Sequence, residues 1–143
     1  VLLGEERLNR AYPYRSILNA GIPLAFGSDY PGEITFDPLL GIHLAANLPS
    51  PEAITAREAL AAYTTGSAYV EFSEHHKGRI KPGYLADLAV LSGDPLAVAT
   101  NRIREIVVDR TIVAGKTVYE REPGSTGRRQ SSEPVRRFSQ PRR

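Results

Sequence analysis

Cysteine, methionine and tryptophan are all missing from this chain of 143 residues. Without Cys there are no disulfides, no thiolate metal ligands and no Cys nucleophile, so thiol-dependent chemistry is excluded. A cytoplasmic setting is the expectation compatible with that composition. No apolar run approaches the roughly 18 residues that a membrane-spanning helix needs. A basic-then-apolar leader of the secretory kind is also missing. In a chain without Met, Val1-Leu2-Leu3 reads as the middle of something longer.

What is present suffices for a core, with apolar residues at 41%. Charge is divided along the chain. Residues 121–143 hold seven Arg against Glu122 and Glu133, leaving 11 basic and 14 acidic groups in residues 1–120. The basic tail, 121–143, has little to bury and is expected to be disordered. Paired arginines attract nucleic acid or acidic lipid, but Phe138 is the tail's one aromatic residue. A solvated tail is therefore the preferred reading over a nucleic-acid-binding one, and no membrane partner is expected.

Tyr14 to Asn19 reads as the end of a helix stopped by Gly21. The apolar run Ile22-Pro23-Leu24-Ala25-Phe26-Gly27 lacks polar alternation, which predicts a strand buried on both faces, with Pro23 tolerated near its start. Asp37-Pro38 offers an N-cap and a first-turn proline for a helix running to about Leu48, with Leu39, Ile42, Leu44 and Ala45 available for burial. Thr55-Ala56-Arg57-Glu58 fits a capping box. The helix it opens pauses at Gly66, and a further helical stretch covers Ser67 to Phe72. Short strands follow at Gly78-Arg79-Ile80, Asp87 to Leu91, Ile103 to Asp109 and Thr111 to Glu120, the last folding back at Ala114-Gly115-Lys116 as a hairpin.

The candidate for chemistry is Asp29, in Gly27-Ser28-Asp29-Tyr30-Pro31, at the C-terminal mouth of the predicted strand. In a barrel of parallel strands, loops at that end converge on a shared pocket. Taken alone, an Asp after Gly-Ser at a strand end is more often a turn residue than a catalyst. His43 lies within a predicted helix and reads as a core or surface histidine, and the adjacent His75-His76 as a solvated pair. Asp87 is expected to bond its own backbone at a strand start, and Asp94-Pro95 to shape a loop. Tyr12 and Arg15 suit packing and surface roles, and Ser28 has no recognisable His-Asp partners for a nucleophilic triad.

Three blocks together resemble the metal-dependent amidohydrolases. Gly27-Ser28-Asp29-Tyr30-Pro31 with Asp37-Pro38-Leu39 is similar to that family's eighth strand and the helix after it. Lys77-Gly78-Arg79-Ile80-Lys81-Pro82-Gly83-Tyr84-Leu85-Ala86-Asp87-Leu88-Ala89-Val90-Leu91 is similar to a second family block, and Thr111-Ile112-Val113-Ala114-Gly115-Lys116-Thr117-Val118-Tyr119 to its closing hairpin. The wording around Asp29 looks closest to the branch acting on N-acyl and N-formyl amides.

The resemblance implies an α/β fold: residues 1–72 as the C-terminal end of a (β/α)8 TIM barrel, and residues 73–120 as part of a small composite β-sandwich. It implies a parent that hydrolyses a C–N bond in a small non-peptide or cyclic amide, using one or two divalent metal ions, usually zinc (Zn2+). Asp29 takes the family's position of metal ligand and proton acceptor for the metal-bound water. The substrate-binding residues are not readable. The missing N-terminal barrel of the parent is then the first partner, and this chain alone is expected to be inactive. Exposed edges of a lone strand favour association, so a homo-oligomer is admitted. A non-catalytic assembly module derived from the same family is the competing reading.

Overall fold

The computed structural model describes Arg7 and residues 11–29 and 36–125. Val1-Leu2-Leu3, Tyr30-Pro31 and the tail from residue 126 therefore lie outside the described residues. The described chain combines helices in its first half with a three-stranded antiparallel sheet in its second. Among the described residues no helix is long and apolar enough to cross a membrane.

Helix α1, Tyr14–Asn19, ends as its sequence predicts. Gly21, at φ +72, donates its N–H to the Leu18 carbonyl at 2.9 Å, and Ile22 donates to the Ile17 carbonyl at 3.2 Å. These two crossed bonds are those of a Schellman ending, which satisfies carbonyls the helix would otherwise leave open. Helix α2, Pro38–Ala46, starts at Asp37, whose carboxylate accepts the Leu39 N–H at 2.9 Å. Leu39, Ile42 and Ala45 are buried, but Leu44 is 59% exposed. The expected burial of Leu44 is thus corrected: one face of a short helix reaches the core, and Leu44 falls off it. The helix also stops two residues before Leu48. Asn47 turns its amide onto the carbonyls of His43 (2.7 Å) and Thr100 (3.0 Å), and the Thr100 hydroxyl donates back to the Asn47 side-chain oxygen at 2.9 Å.

Helix α3, Ala56–Ala61, opens with the predicted capping box. Glu58 donates its N–H to the Thr55 hydroxyl oxygen at 3.2 Å, and its carboxylate accepts the Thr55 N–H at 2.7 Å. The chain then passes through a π-helical turn, Ala62–Gly66, into helix α4, Ser67–Val70. Gly66 is no pause, since its backbone is right-handed helical. Helix α4 ends short of Phe72, which sits at φ +57 and is 89% exposed.

Two predicted strands are absent from the described residues. Residues 22–27 carry no sheet pairing, and Ile22 is 55% exposed. A strand exists only through neighbours, and the one described sheet is built from residues 88–120. Gly78-Arg79-Ile80 is likewise unpaired, with Ile80 91% exposed. The stretch Ile103 to Asp109 is divided: Thr100–Glu105 form a 3₁₀ turn and the strand begins only at Val108. Ile103 and Ile106, three residues apart, would fall on opposite faces of a strand; here Ile106 stands just past the 3₁₀ turn and donates its N–H to the Ile103 carbonyl at 3.1 Å. Both are buried.

The sheet comprises β1 (Leu88–Leu91), β2 (Val108–Val113) and β3 (Lys116–Glu120), in that order. The β2–β3 turn is Ala114-Gly115, with φ +49 and +76, the paired left-handed residues of a tight hairpin. Asp87 acts here rather than on its own backbone. Its carboxylate accepts the Ala114 N–H at 2.8 Å, while the Ala86 carbonyl accepts the Gly115 N–H at 3.1 Å. The strand start thereby holds the hairpin tip. Asp94 shapes its loop as expected, accepting the Leu96 N–H at 2.8 Å.

The core joins Leu39, Ile42 and Ala45 of α2 to Ile54, Ala59, Ile103 and Ile106, with Leu91 and Val108 of the sheet packed against it. It thus draws on residues either side of 72. Truncating fully buried Ile103 to Ala should cost about 2–5 kcal/mol, through lost transfer energy and a residual cavity. Leu44→Ala should stay within about 0.5 kcal/mol. Urea unfolding of both variants checks the contrast.

Candidate active site

The segment that ends in Asp29 is fixed by helix rather than by sheet. In a π-turn each N–H reaches back five residues instead of four. Ser67 donates its N–H to the Ala62 carbonyl in this way. The hydroxyls of Thr64 and Thr65 donate to the carbonyls of Leu60 (2.8 Å) and Ala61 (3.1 Å), occupying acceptors of the preceding turn. The Ala62 carbonyl also accepts the Phe26 N–H at 3.1 Å. The Ser67 hydroxyl donates to the Phe26 carbonyl at 2.9 Å and lies 3.0 Å from that of Ala62. Both peptide groups flanking Phe26 are therefore tied to the turn. Gly66 permits this approach, because a Cβ there would stand 2.1 Å from the Leu24 carbonyl oxygen.

Ring packing supports the same segment. Phe26 lies edge-on to Tyr14 at 4.9 Å and to Tyr63 at 5.4 Å between ring centroids, geometries favoured by the ring quadrupoles. Burial raises the phenol pKa of both tyrosines; the neighbouring tyrosines add to it for Tyr14, and Asp37 for Tyr63. Both stay protonated at neutral pH. The Tyr12 ring lies tilted beside that of Tyr14, 5.9 Å between centroids, and is 62% exposed.

Asp29 emerges three residues after Phe26, exposed and at φ +53. Few residues other than glycine adopt that conformation; Asp is one of the better tolerated, and such strain gathers at functional positions. Among the described residues no three His, Cys, Asp or Glu side chains form a group able to hold a metal ion. The donor set present thus does not fit a catalytic cation by itself, since one carboxylate leaves most of its coordination unmet. A cavity of about 370 Å³ borders Pro23, Leu24, Gly66 and Glu74, and Asp29 is not in its lining.

The other candidates are structural. His43 Nδ1 lies 3.1 Å from the Thr100 carbonyl oxygen, joining α2 to the 3₁₀ turn. His75 and His76 are both exposed. Arg15 makes a two-pronged bond to Glu58, 2.8 and 2.7 Å, between α1 and the start of α3. Glu52 accepts both the Ser16 hydroxyl (2.7 Å) and its N–H (2.8 Å), which hold the Glu52 carboxyl below its usual range. The bond from Ser67 to Phe26 and the close approach of Gly66 to Leu24 are not read from the helix pattern. The available signal was a Thr-Thr-Gly-Ser run following a capped helix, a pattern rich in residues that disturb regular α-helix.

The Arg15 hydrogen bond, and after it the Thr55 N–H, lower the Glu58 carboxyl from 4.5 to about 2. A depressed folded-state pKa stabilises the fold fully above the unfolded value and loses that contribution as pH falls through the folded one. The difference in urea midpoint between wild type and Glu58→Gln should be present at about pH 6 and close by about pH 2. A gap that persists undiminished at the lower pH contradicts the assignment.

Comparison with known proteins gives one consistent answer. Residues 2–119 match the sequence profile described as the amidohydrolase family. YtcJ of Bacillus subtilis (strain 168), which is named as an amidohydrolase, is 38% identical over 130 residues, covering 83% of this chain and 24% of the relative. The N-substituted formamide deformylase of Arthrobacter pascens is 38% identical over 119 residues, covering 78% of this chain and 22% of the relative. The crystal structure of an amidohydrolase from Thermotoga maritima MSB8 aligns with a TM-score of 0.59 and 27% identity, covering 77% of this chain and 26% of that one. The chain thus spans about a quarter of the length of the proteins it matches.

Proposed function

This chain belongs to the amidohydrolase family, and on that premise we propose that it is the C-terminal portion of a hydrolase cleaving a C–N bond in a small non-peptide or cyclic amide. Residues up to 72 supply the end of the parent's (β/α)8 barrel, in which the segment 22–27 would find the strand partners it lacks among the described residues, and residues 73–120 supply part of its β-sandwich. The similarity to a formamide deformylase favours the N-acyl and N-formyl branch. The observation that carries the reading is Asp29: an acid in a left-handed conformation, directly after a segment whose peptide groups are fixed on both sides.

In this reading the Asp29 carboxylate accepts a proton from the water attacking the amide carbon. It then returns that proton to the departing amine, so one group serves as base and then acid. Asp suits the task because its short side chain leaves the carboxylate close to the rigid backbone. Any divalent ion, zinc being the expected one, draws the remainder of its ligands from the parent's other barrel strands. Asp29 offers it one carboxylate. The walls that enclose the substrate and select it come from the same missing part.

In the full-length parent, Asp29→Asn should lower kcat by about 100- to 10 000-fold and leave thermal unfolding close to wild type, since Asn tolerates the same left-handed backbone. The chain described here, supplied with Zn2+ and a panel of N-acyl amides, should show no turnover. Metal-dependent hydrolysis by this chain that disappears in Asp29→Ala would contradict the claim that the rest of the parent is required. A full-length Asp29→Asn enzyme of wild-type activity would remove Asp29 from the mechanism.

A further inference from the structure

The π-turn after α3 interrupts a helix that begins with a complete capping box and has no proline in it. Such a turn inserts one extra residue into the helix and sits there at a cost that something must offset. Besides the close approaches of Gly78 to Thr64 and of Gly41 to Tyr63, what it gains here is hydrogen bonding to the segment leading to Asp29. The Ala62 carbonyl accepts the Phe26 N–H, and the half-buried Ser67 hydroxyl donates to the Phe26 carbonyl. Gly66 allows the Leu24 carbonyl to lie against the helix where any side chain would collide. Three points, the Leu24 carbonyl against Gly66 and the Phe26 N–H and carbonyl bonded to Ala62 and Ser67, thereby fix the segment along its length as well as across it.

We propose that Ser67, together with the π-turn of residues 62–66, is the positioning device for Asp29. It sets where the segment 24–29 sits along the helix, and so where the acid projects. The inference rests on the reading of Asp29 as proton acceptor and adds a residue that touches neither water nor substrate. A hydroxyl suits this position because Ser67 stands at the first residue of α4, where its own N–H is already committed to Ala62 and its side chain reaches across to Phe26. Alanine would leave the Phe26 carbonyl without that donor and leave one bond, Phe26 to Ala62, to hold the segment. Misplacing a reacting group by an ångström or less is enough to slow a reaction strongly while leaving binding intact.

The test has a structural and a kinetic arm. In this chain, hydrogen exchange of the amides in residues 22–29 should speed up by about 10-fold in Ser67→Ala, whereas amides of β2 and β3 should exchange as in wild type. In the full-length parent, Ser67→Ala should lower kcat by about 10- to 100-fold with KM unchanged. Ser67→Thr, which keeps the hydroxyl, should restore most of both. Wild-type exchange and kcat in Ser67→Ala would overturn the proposal, as would loss of protection throughout the chain, which marks a general folding role. Asp29→Asn measured alongside separates the two levels. If that variant is inactive while Ser67→Ala is normal, only the positioning role fails. If it is fully active, the proton-acceptor reading fails, whatever the exchange data give.

Discussion

One main-chain oxygen, that of Ala62, organises the half of the chain that carries the candidate acid. It accepts the Ser67 N–H across the π-turn and the Phe26 N–H from the neighbouring segment, and the Ser67 hydroxyl approaches it as well. Carbonyl oxygens have two lone pairs, and a regular α-helix uses each mainly along its own axis. By changing the helical pitch for five residues, the chain turns an acceptor outward and uses it to hold a segment that has no strand partners of its own among the described residues. The aromatic rings of Tyr14, Phe26 and Tyr63 close over the same junction. Main-chain bonding and ring packing thus fix the same residue, Phe26, from two directions.

The remainder of the fold secures that junction from behind. Arg15 and Glu58 tie α1 to the capped start of α3, while Asn47, His43 and Thr100 clasp α2 to the 3₁₀ turn that buries Ile103. The hairpin is held at its tip by Asp87 through the Ala114 N–H. These are short-range polar devices at the ends of elements, where unpaired N–H and carbonyl groups concentrate. The apolar core between them is small, with Leu39, Ile42, Ile54, Ile103 and Ile106 its large members. Much apolar surface stays open, including Phe72, Ile80 and Val118. Exposed apolar surface of this kind suits the proposed reading, in which the rest of a longer parent packs against this portion.

Legibility from sequence followed the range of the interaction involved. The Asp37 cap, the Thr55–Glu58 capping box, the Gly21 helix ending and the Ala114-Gly115 hairpin are written within a few residues, and each forms as its sequence suggests. Leu44, Ile80 and the stretch around Ile103 were misplaced because hydrophobicity alone does not say which partner surface is present. The run from Ile22 to Gly27 has the composition of a buried strand, yet composition supplies no neighbours. The π-turn was illegible for a related reason: Gly66 and Ser67 are explained by Leu24 and Phe26, some forty residues earlier. Asp29 is legible through its motif, and its proposed chemical role through resemblance to a family. Its left-handed backbone and the strap behind it emerge only in three dimensions.

A crystal structure of the full-length parent bears most directly on the central claim, that this strap holds Asp29 against a hydrolytic pocket. The account predicts that Phe26 keeps its bonds to Ala62 and Ser67 there, and that the Asp29 carboxylate faces an enclosed cavity completed by preceding strands. A carboxylate turned into bulk solvent, with the pocket formed elsewhere, would contradict it.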